Sequence, residues 1–179
     1  MQSRFLISIV LVVSILTFSL SMADQIRYNM PFKTNFENLS PGAKKQVECL
    51  AQNMYYESGY ESKEGQIAVA FVTLNRVNSG NYPDDICGVV KQKIGNTCQF
   101  SWWCEAKHAA GALTGNNNLV YNGVKELATH VYVNYDKMTD PSKGALFYHA
   151  DYVNPGWPNM RKTAVIGRHI FYNRAGKGI

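Results

Sequence analysis

The residues best suited to chemistry in this sequence lie in Tyr55-Tyr56-Glu57-Ser58-Gly59-Tyr60-Glu61, set between two segments with helical apolar periodicity. Glu57 stands out. It falls seven residues after Leu50 and three after Met54, which puts its carboxyl at the edge of an apolar helix face. Gly59 lets the backbone turn directly afterwards. A carboxyl held half-buried has its charged form disfavoured, so its pKa rises and it becomes a usable proton donor near neutral pH. Most glutamates near a helix end are solvated surface groups, so it is the neighbourhood that makes Glu57 the candidate catalytic acid. Glu61 is the candidate second acid, divided evenly between facing the same cleft and capping the next helix. Glu64, in the first turn of that helix, fits the favourable end of the helix dipole and needs no other explanation.

A second group of candidates is aromatic or polar. Cys98-Gln99-Phe100-Ser101-Trp102-Trp103-Cys104 places three aromatics between two cysteines, and such side chains offer apolar faces for a ligand to stack on. One tryptophan is expected in the core and the other exposed. Gln66, Gln99, Ser101 and Trp102 are candidate substrate contacts, and Tyr148, His149, Trp157 and His169 are candidates to line a binding groove. His149 and His169 have no convincing third metal ligand, and no His-Glu-x-x-His motif occurs, so neither a metal nor a cofactor is expected.

These residues need positioning elements. Ser40-Pro41 is a strong helix start, and Val47, Leu50, Ala51, Met54 and Ser58 keep a helical period, which predicts a helix from Pro41 to about Glu57. Ile67, Ala70, Phe71, Leu74 and Val77 predict a core helix from Lys63 to about Val77, with Gln66, Asn75 and Arg76 as polar exceptions that serve structure or site equally well. A shorter helix is expected from Asp84 to about Gln92. After a polar loop at 114–118, another should run to about Tyr135, with His130 in a structural role. Ala145–His149, Thr163–Gly167 and His169–Tyr172 read as short strands around an irregular Asn154–Pro158 loop. The fold class is α+β, mainly helical, in one domain with a small C-terminal β-hairpin.

The N-terminus points to export. Only Arg4 is charged before Asp24, the run from Phe5 to Leu20 is almost wholly apolar, and Ser21-Met22-Ala23 offers a small-x-small cleavage pattern. Residues 1–23 are read as a signal peptide or a retained anchor, since a bilayer needs roughly 20 apolar residues. Residues 24–39 read as an extended arm, and 40–179 as the functional domain. Cys49, Cys87, Cys98 and Cys104 make an even count that suits two disulfides in an oxidising compartment. Three pairings are open; Cys98–Cys104 would close locally and leave Cys49 to Cys87. The formal charge of +5 comes from scattered Lys and Arg, which argues against a nucleic-acid partner. The protein is expected to be an exported monomer, with transient membrane association through its N-terminal segment.

Several blocks occur in a fixed order: Tyr56–Glu61, Glu64–Ala70, Leu74-Asn75-Arg76-Val77, Tyr82-Pro83, Gln99-Phe100-Ser101, Gly144–His149 and Ile166–Phe171. Together they resemble the cell wall hydrolase family typified by the spore-cortex-lytic enzymes, over roughly Cys49 to Tyr172. The resemblance implies a fold related to lysozymes and lytic transglycosylases, peptidoglycan as substrate and Glu57 as catalytic acid. Where the family usually has Ala-Arg-Gly between its two glutamates, this chain has Ser58-Gly59-Tyr60, so any substrate contact made by that arginine is not carried over. Glycoside hydrolysis ordinarily uses two carboxyls. A lytic transglycosylase manages with one, cutting between MurNAc and GlcNAc as the sugar's own 6-hydroxyl attacks C1. The resemblance favours that route; Glu57 is expected to serve both steps, and Tyr148 is the candidate hydrogen-bond partner that steadies the sugar. The alternatives are a muramidase that uses Glu61, or a domain that binds peptidoglycan or an envelope partner without cutting. A phage lysis enzyme is one setting.

Overall fold

The computed structural model describes residues 35–105 and 116–176. The signal or anchor expected over 1–23, most of the arm and the start of the polar loop lie outside the described residues.

Ser40 caps the first helix by accepting from Ala43 N at 3.3 Å, and Pro41 opens it. This helix, α1 (Pro41–Ser58), buries Val47, Leu50, Ala51, Met54 and Ser58 on one face, as their spacing requires. The end of the arm is not extended: Phe36–Asn38 form a 3₁₀ turn. Glu37 pairs there with Lys44 at 2.8 Å, and the Lys125 ammonium lies 3.8 Å from the Phe36 ring centroid.

Ser62 caps α2 (Lys63–Asn78), which is buried almost all round from Gly65 to Leu74. A shorter α3 (Ile86–Val90) is capped by Asp85, and the Cys49–Cys87 disulfide ties it to α1. A two-stranded hairpin follows, β1 (Lys93–Ile94) with β2 (Thr97–Cys98), which the apolar pattern did not predict because it is mostly exposed. The single turn α4 (Ser101–Cys104) is closed onto β2 by the Cys98–Cys104 disulfide. Next comes α5 (Asn116–Asn134), which starts within the residues expected as a loop and buries Tyr121, Val124, Leu127, Ala128 and Val131. Against it, α1 lays its apolar face; α1 also packs on α2 and α3.

The C-terminal strands form a three-stranded antiparallel sheet, not a bare hairpin. Its order is β3 (Phe147–Ala150), β5 (His169–Arg174), β4 (Met160–Ile166). Tyr148 pairs with Phe171 and Ala150 with His169 on one side of β5, while Ala164 and Ile166 face the same two residues from the other. Phe171 is fully buried in a cluster with Ala68, Val69, Val72 and Ala145, and Tyr148, Ala164 and Ile166 pack against it. One face of the sheet is thus seated on α2. Burying the Phe171 ring contributes about 2–3 kcal/mol. Among the described residues no helix is long and apolar enough to cross a membrane.

Candidate active site

Glu57 sits in the last turn of α1, one helical turn beyond the fully buried Asn53 and Met54. Glu57 is half-buried. The Tyr148 hydroxyl, brought in by β3, donates to Glu57 Oε2 at 2.9 Å. Burial raises the Glu57 pKa; the Tyr148 hydrogen bond and the positive charge of Arg76 act against that rise without cancelling it. The result is a carboxyl that holds its proton longer than a free glutamate and has one fixed donor ready for the carboxylate. That is the equipment of a general acid.

Arg76 comes from the last turn of α2 and is buried. Its Nε donates to Leu146 O at 2.8 Å, and the guanidinium carbon lies 5.3 and 5.2 Å from the Tyr82 and Phe100 ring centroids. Its Nη1 has no hydrogen-bond partner among the described residues. Burial weakens the hold of Arg76 on its proton, opposed by the nearby Tyr148, Tyr82 and Glu57. Arginine stays charged even so. No ion pair joins Arg76 to Glu57 among the described residues, so the guanidinium acts on the carboxyl through space.

The turn after Glu57 is held by close approach and by one amide. Gly59 N donates to Tyr55 O at 2.9 Å, and a Cβ on Gly59 would meet that same oxygen at 2.5 Å. Its φ of −57° is ordinary, so glycine is required here for space and not for a left-handed backbone. Gln66 Nε2 donates to both Gly59 O and Glu61 O at 3.1 Å, which accounts for its burial as a fastener of this turn. Glu61 does not cap α2, a role taken by Ser62, and among the described residues no hydrogen bond joins it to Glu57. Its Oε2 accepts from Arg168 N at 3.4 Å in the β4–β5 turn, where a Cβ on Gly167 (φ +54°) would collide with the same oxygen.

The structure divides the four residues expected to line one groove. Side chains alternate across a strand. Tyr148 and His169 point toward α2, their rings edge to face at 5.4 Å, and His169 is buried. Burial lowers the His169 pKa, against the pull of Glu61 and Asp151. His149 and Trp157 are on the other face of the sheet, with ring centroids 5.8 Å apart. Tyr148 reaches the Glu57 carboxyl itself.

Trp102 is buried, stacks on Tyr56 at 4.6 Å and donates from Nε1 to Asn53 Oδ1 at 3.1 Å. The exposed member of the pair is Trp103, with the Lys91 ammonium 4.8 Å from its ring centroid. Ser101 is exposed and Gln99 half-buried, in the segment whose Phe100 covers Arg76. Sequence reasoning missed Asn53, whose Nδ2 donates to Thr73 Oγ1 at 3.2 Å and which joins α1, α2 and α4 beneath the site. An asparagine between Leu50 and Met54 on an apolar face was the available signal.

Comparison with known proteins agrees with this architecture. Residues 60–172 match the family described as Cell Wall Hydrolase, a match that begins just after Glu57. The chain is 30% identical over 132 residues to a spore cortex-lytic enzyme of Halalkalibacterium halodurans, which covers 71% of this chain and 34% of that protein. It is 29% identical over 153 residues to the spore cortex-lytic enzyme of Bacillus subtilis, covering 83% of this chain and 41% of that one. The chain therefore spans less than half the length of either relative. Among solved structures it is similar to the catalytic domain of the germination-specific lytic transglycosylase SleB from Bacillus anthracis, with a TM-score of 0.56 and 28% identity, covering 76% of this chain and 98% of that one. With a mainly helical α+β fold and a small C-terminal antiparallel sheet like those of the SleB catalytic domain, the chain belongs to the cell wall hydrolase family.

Proposed function

We propose that this domain cuts the glycan strand of peptidoglycan between MurNAc and GlcNAc as a lytic transglycosylase, with Glu57 as its one catalytic carboxyl. The observation that carries the reading is the Glu57 carboxyl, whose pKa burial raises and whose Oε2 accepts from the Tyr148 hydroxyl at 2.9 Å. Glu57 gives its proton to the leaving glycosidic oxygen as the C1–O bond breaks. The carboxylate formed is steadied by Tyr148 and by the charge of Arg76. It then takes the proton of the 6-hydroxyl as that oxygen bonds to C1, which closes the 1,6-anhydro ring and returns Glu57 to its acid form. One group serves twice, so no second carboxyl is needed. Glu61 is engaged with the β4–β5 turn, which speaks against a muramidase that depends on it.

Two disulfides, Cys49–Cys87 and Cys98–Cys104, suit an extracytoplasmic site of action. The apolar N-terminal stretch would deliver the domain there, as a cleaved signal or as an anchor. Spore cortex and ordinary cell wall share the bond in question, and a phage lysis enzyme fits the reading as well as a germination enzyme does.

The test is mass spectrometry of the products released from purified peptidoglycan. Anhydro-muramic ends are expected from the native protein and from Glu61→Gln, and none from Glu57→Gln. Reducing ends that vanish in Glu61→Gln would establish a muramidase instead. Sedimentation with cell walls but no sugar cleavage would leave a binding domain.

A further inference from the structure

We infer that the outer face of the C-terminal sheet is a second peptidoglycan-binding surface, separate from the Glu57 cleft. It takes an uncut glycan–peptide segment by ring stacking on Trp157 and by carboxylate contacts to Lys162 and Arg174. The inference rests on the peptidoglycan reading above but not on the catalytic role of Glu57.

Strand parity separates the two surfaces. Tyr148, His169 and Phe171 face α2, so Phe147, His149, Tyr172 and Arg174 face away from it. On that outer face the aromatic groups form a braced corner. His149 stacks on Tyr172 with centroids 5.2 Å apart, its Nε2 lies 3.2 Å from the Tyr172 hydroxyl, and its Nδ1 lies 2.8 Å from Ala150 O. The tautomer that satisfies both contacts carries its proton on Nδ1. Trp157 stands edge-on to both rings, at 5.8 Å from His149 and 6.3 Å from Tyr172, yet remains 41% exposed. A large aromatic that is pinned by neighbours but left open to solvent loses little freedom when a sugar face stacks on it.

Charge selects the occupant. Lys162 pairs with Tyr172 across the sheet, and the Arg174 guanidinium lies 5.6 Å from the Phe147 ring centroid. Both are exposed, and the strand residues on this face include no Asp or Glu. Peptidoglycan offers the complement to both features, since its sugars present apolar ring faces and its lactyl-linked peptide stems end in carboxylates. A neutral polysaccharide would use only the rings.

The experiment uses the full chain in the Glu57→Gln background, sedimented with purified cell walls and, as a neutral probe, with insoluble chitin. Trp157→Ala should weaken binding to cell walls roughly 5- to 10-fold, with partial recovery in Trp157→Phe. The Lys162→Ala/Arg174→Ala pair should weaken wall binding in a salt-dependent way and leave chitin binding unchanged. With Glu57 intact, Trp157→Ala should cut short soluble glycan strands at the native rate and whole walls more slowly. Unchanged wall binding in all three variants would overturn the inference. An equal loss on short strands and on walls would place Trp157 in the catalytic groove. A dimer in sedimentation analysis that Trp157→Ala dissolves would assign the face to a second copy. Wall binding without cleavage by the native protein would remove the catalytic reading and leave this surface standing, and absence of both would end the two together.

Discussion

Removing the Tyr148 hydroxyl isolates a single interaction at the Glu57 carboxyl. In Tyr148→Phe the ring keeps its packing on Phe171, at 5.7 Å between centroids, and on His169 at 5.4 Å, so the sheet and α2 stay in place. What is lost is the 2.9 Å hydrogen bond to Glu57 Oε2. A bond to a charged acceptor is worth about 1.5–3 kcal/mol. In the protonated ground state it is weaker, and with the proton half transferred about half of the full value is realised. The expected cost at the transition state is then ~0.8–1.5 kcal/mol, or roughly a 4- to 12-fold fall in the plateau rate. The pH dependence gives the sign. The hydrogen bond favours the carboxylate and pulls the Glu57 pKa down against burial, so its removal lets that pKa climb. Activity that depends on the protonated acid should persist to higher pH, and the alkaline limb of the rate profile should move upward while the plateau drops. The assay is release of soluble muropeptides from cell walls across a pH series, with circular dichroism to verify folding. A limb that stays put or moves down, or a rate equal to native, would refute the assignment of Tyr148 to the Glu57 carboxyl.

Glu57→Gln should stabilise the fold while it removes the activity. The raised folded-state pKa means that the contribution of Glu57 is fully present below the unfolded glutamate pKa of about 4.3 and is lost as pH rises through the folded value. The variant should therefore unfold at a higher temperature than native at neutral pH, with the gap closing in acid. Thermal melts at matched pH values check it, and a lower melting temperature at neutral pH would count against the burial of this carboxyl. Replacing Cys49 and Cys87 by serine releases a 38-residue loop in the unfolded chain and should cost about 4 kcal/mol, read by urea titration. A loss below about 1 kcal/mol would mean that α3 is held to α1 by packing alone.

The helices were legible because their signals are local. Ser40-Pro41 and the Val47, Leu50, Met54 spacing place α1 to within a residue, and Ile67 to Val77 does the same for α2. The edge position of Glu57 follows from that same spacing. The partners of Glu57 were less legible, since Tyr148 is 91 residues away and its side of β3 depends on strand register. Grouping Tyr148 with His149 and Trp157 took neighbours in sequence for neighbours in space. Arg76 and Asn53 were hidden for another reason: a polar residue on an apolar helix reads alike whether its partner is a backbone carbonyl or a substrate. Among Gln66, Asn75 and Arg76, contacts alone distinguish the roles. Gln66 fastens a turn, Asn75 donates to Asp140 Oδ2 and Ala145 O, and only Arg76 lies beside the acid.

The anchoring of the segment before β3 makes this protein, in effect, count residues. Asp140 accepts from Ser142 N and Gly144 N at 2.7 Å, Asn75 holds Ala145 O, and Arg76 holds Leu146 O. Two consecutive carbonyls are thereby pinned to the last turns of α2, immediately ahead of Phe147. From that origin, parity fixes everything that follows. Loss or gain of one residue between Leu146 and Tyr148 would exchange inside for outside, turning a phenylalanine or a histidine toward Glu57 and the phenol toward solvent. A family member with an insertion at this point could keep every helix, both disulfides and a recognisable strand, and still have no hydroxyl at its acid. Reading frame at β3 is therefore a sharper criterion for an active homologue than overall identity.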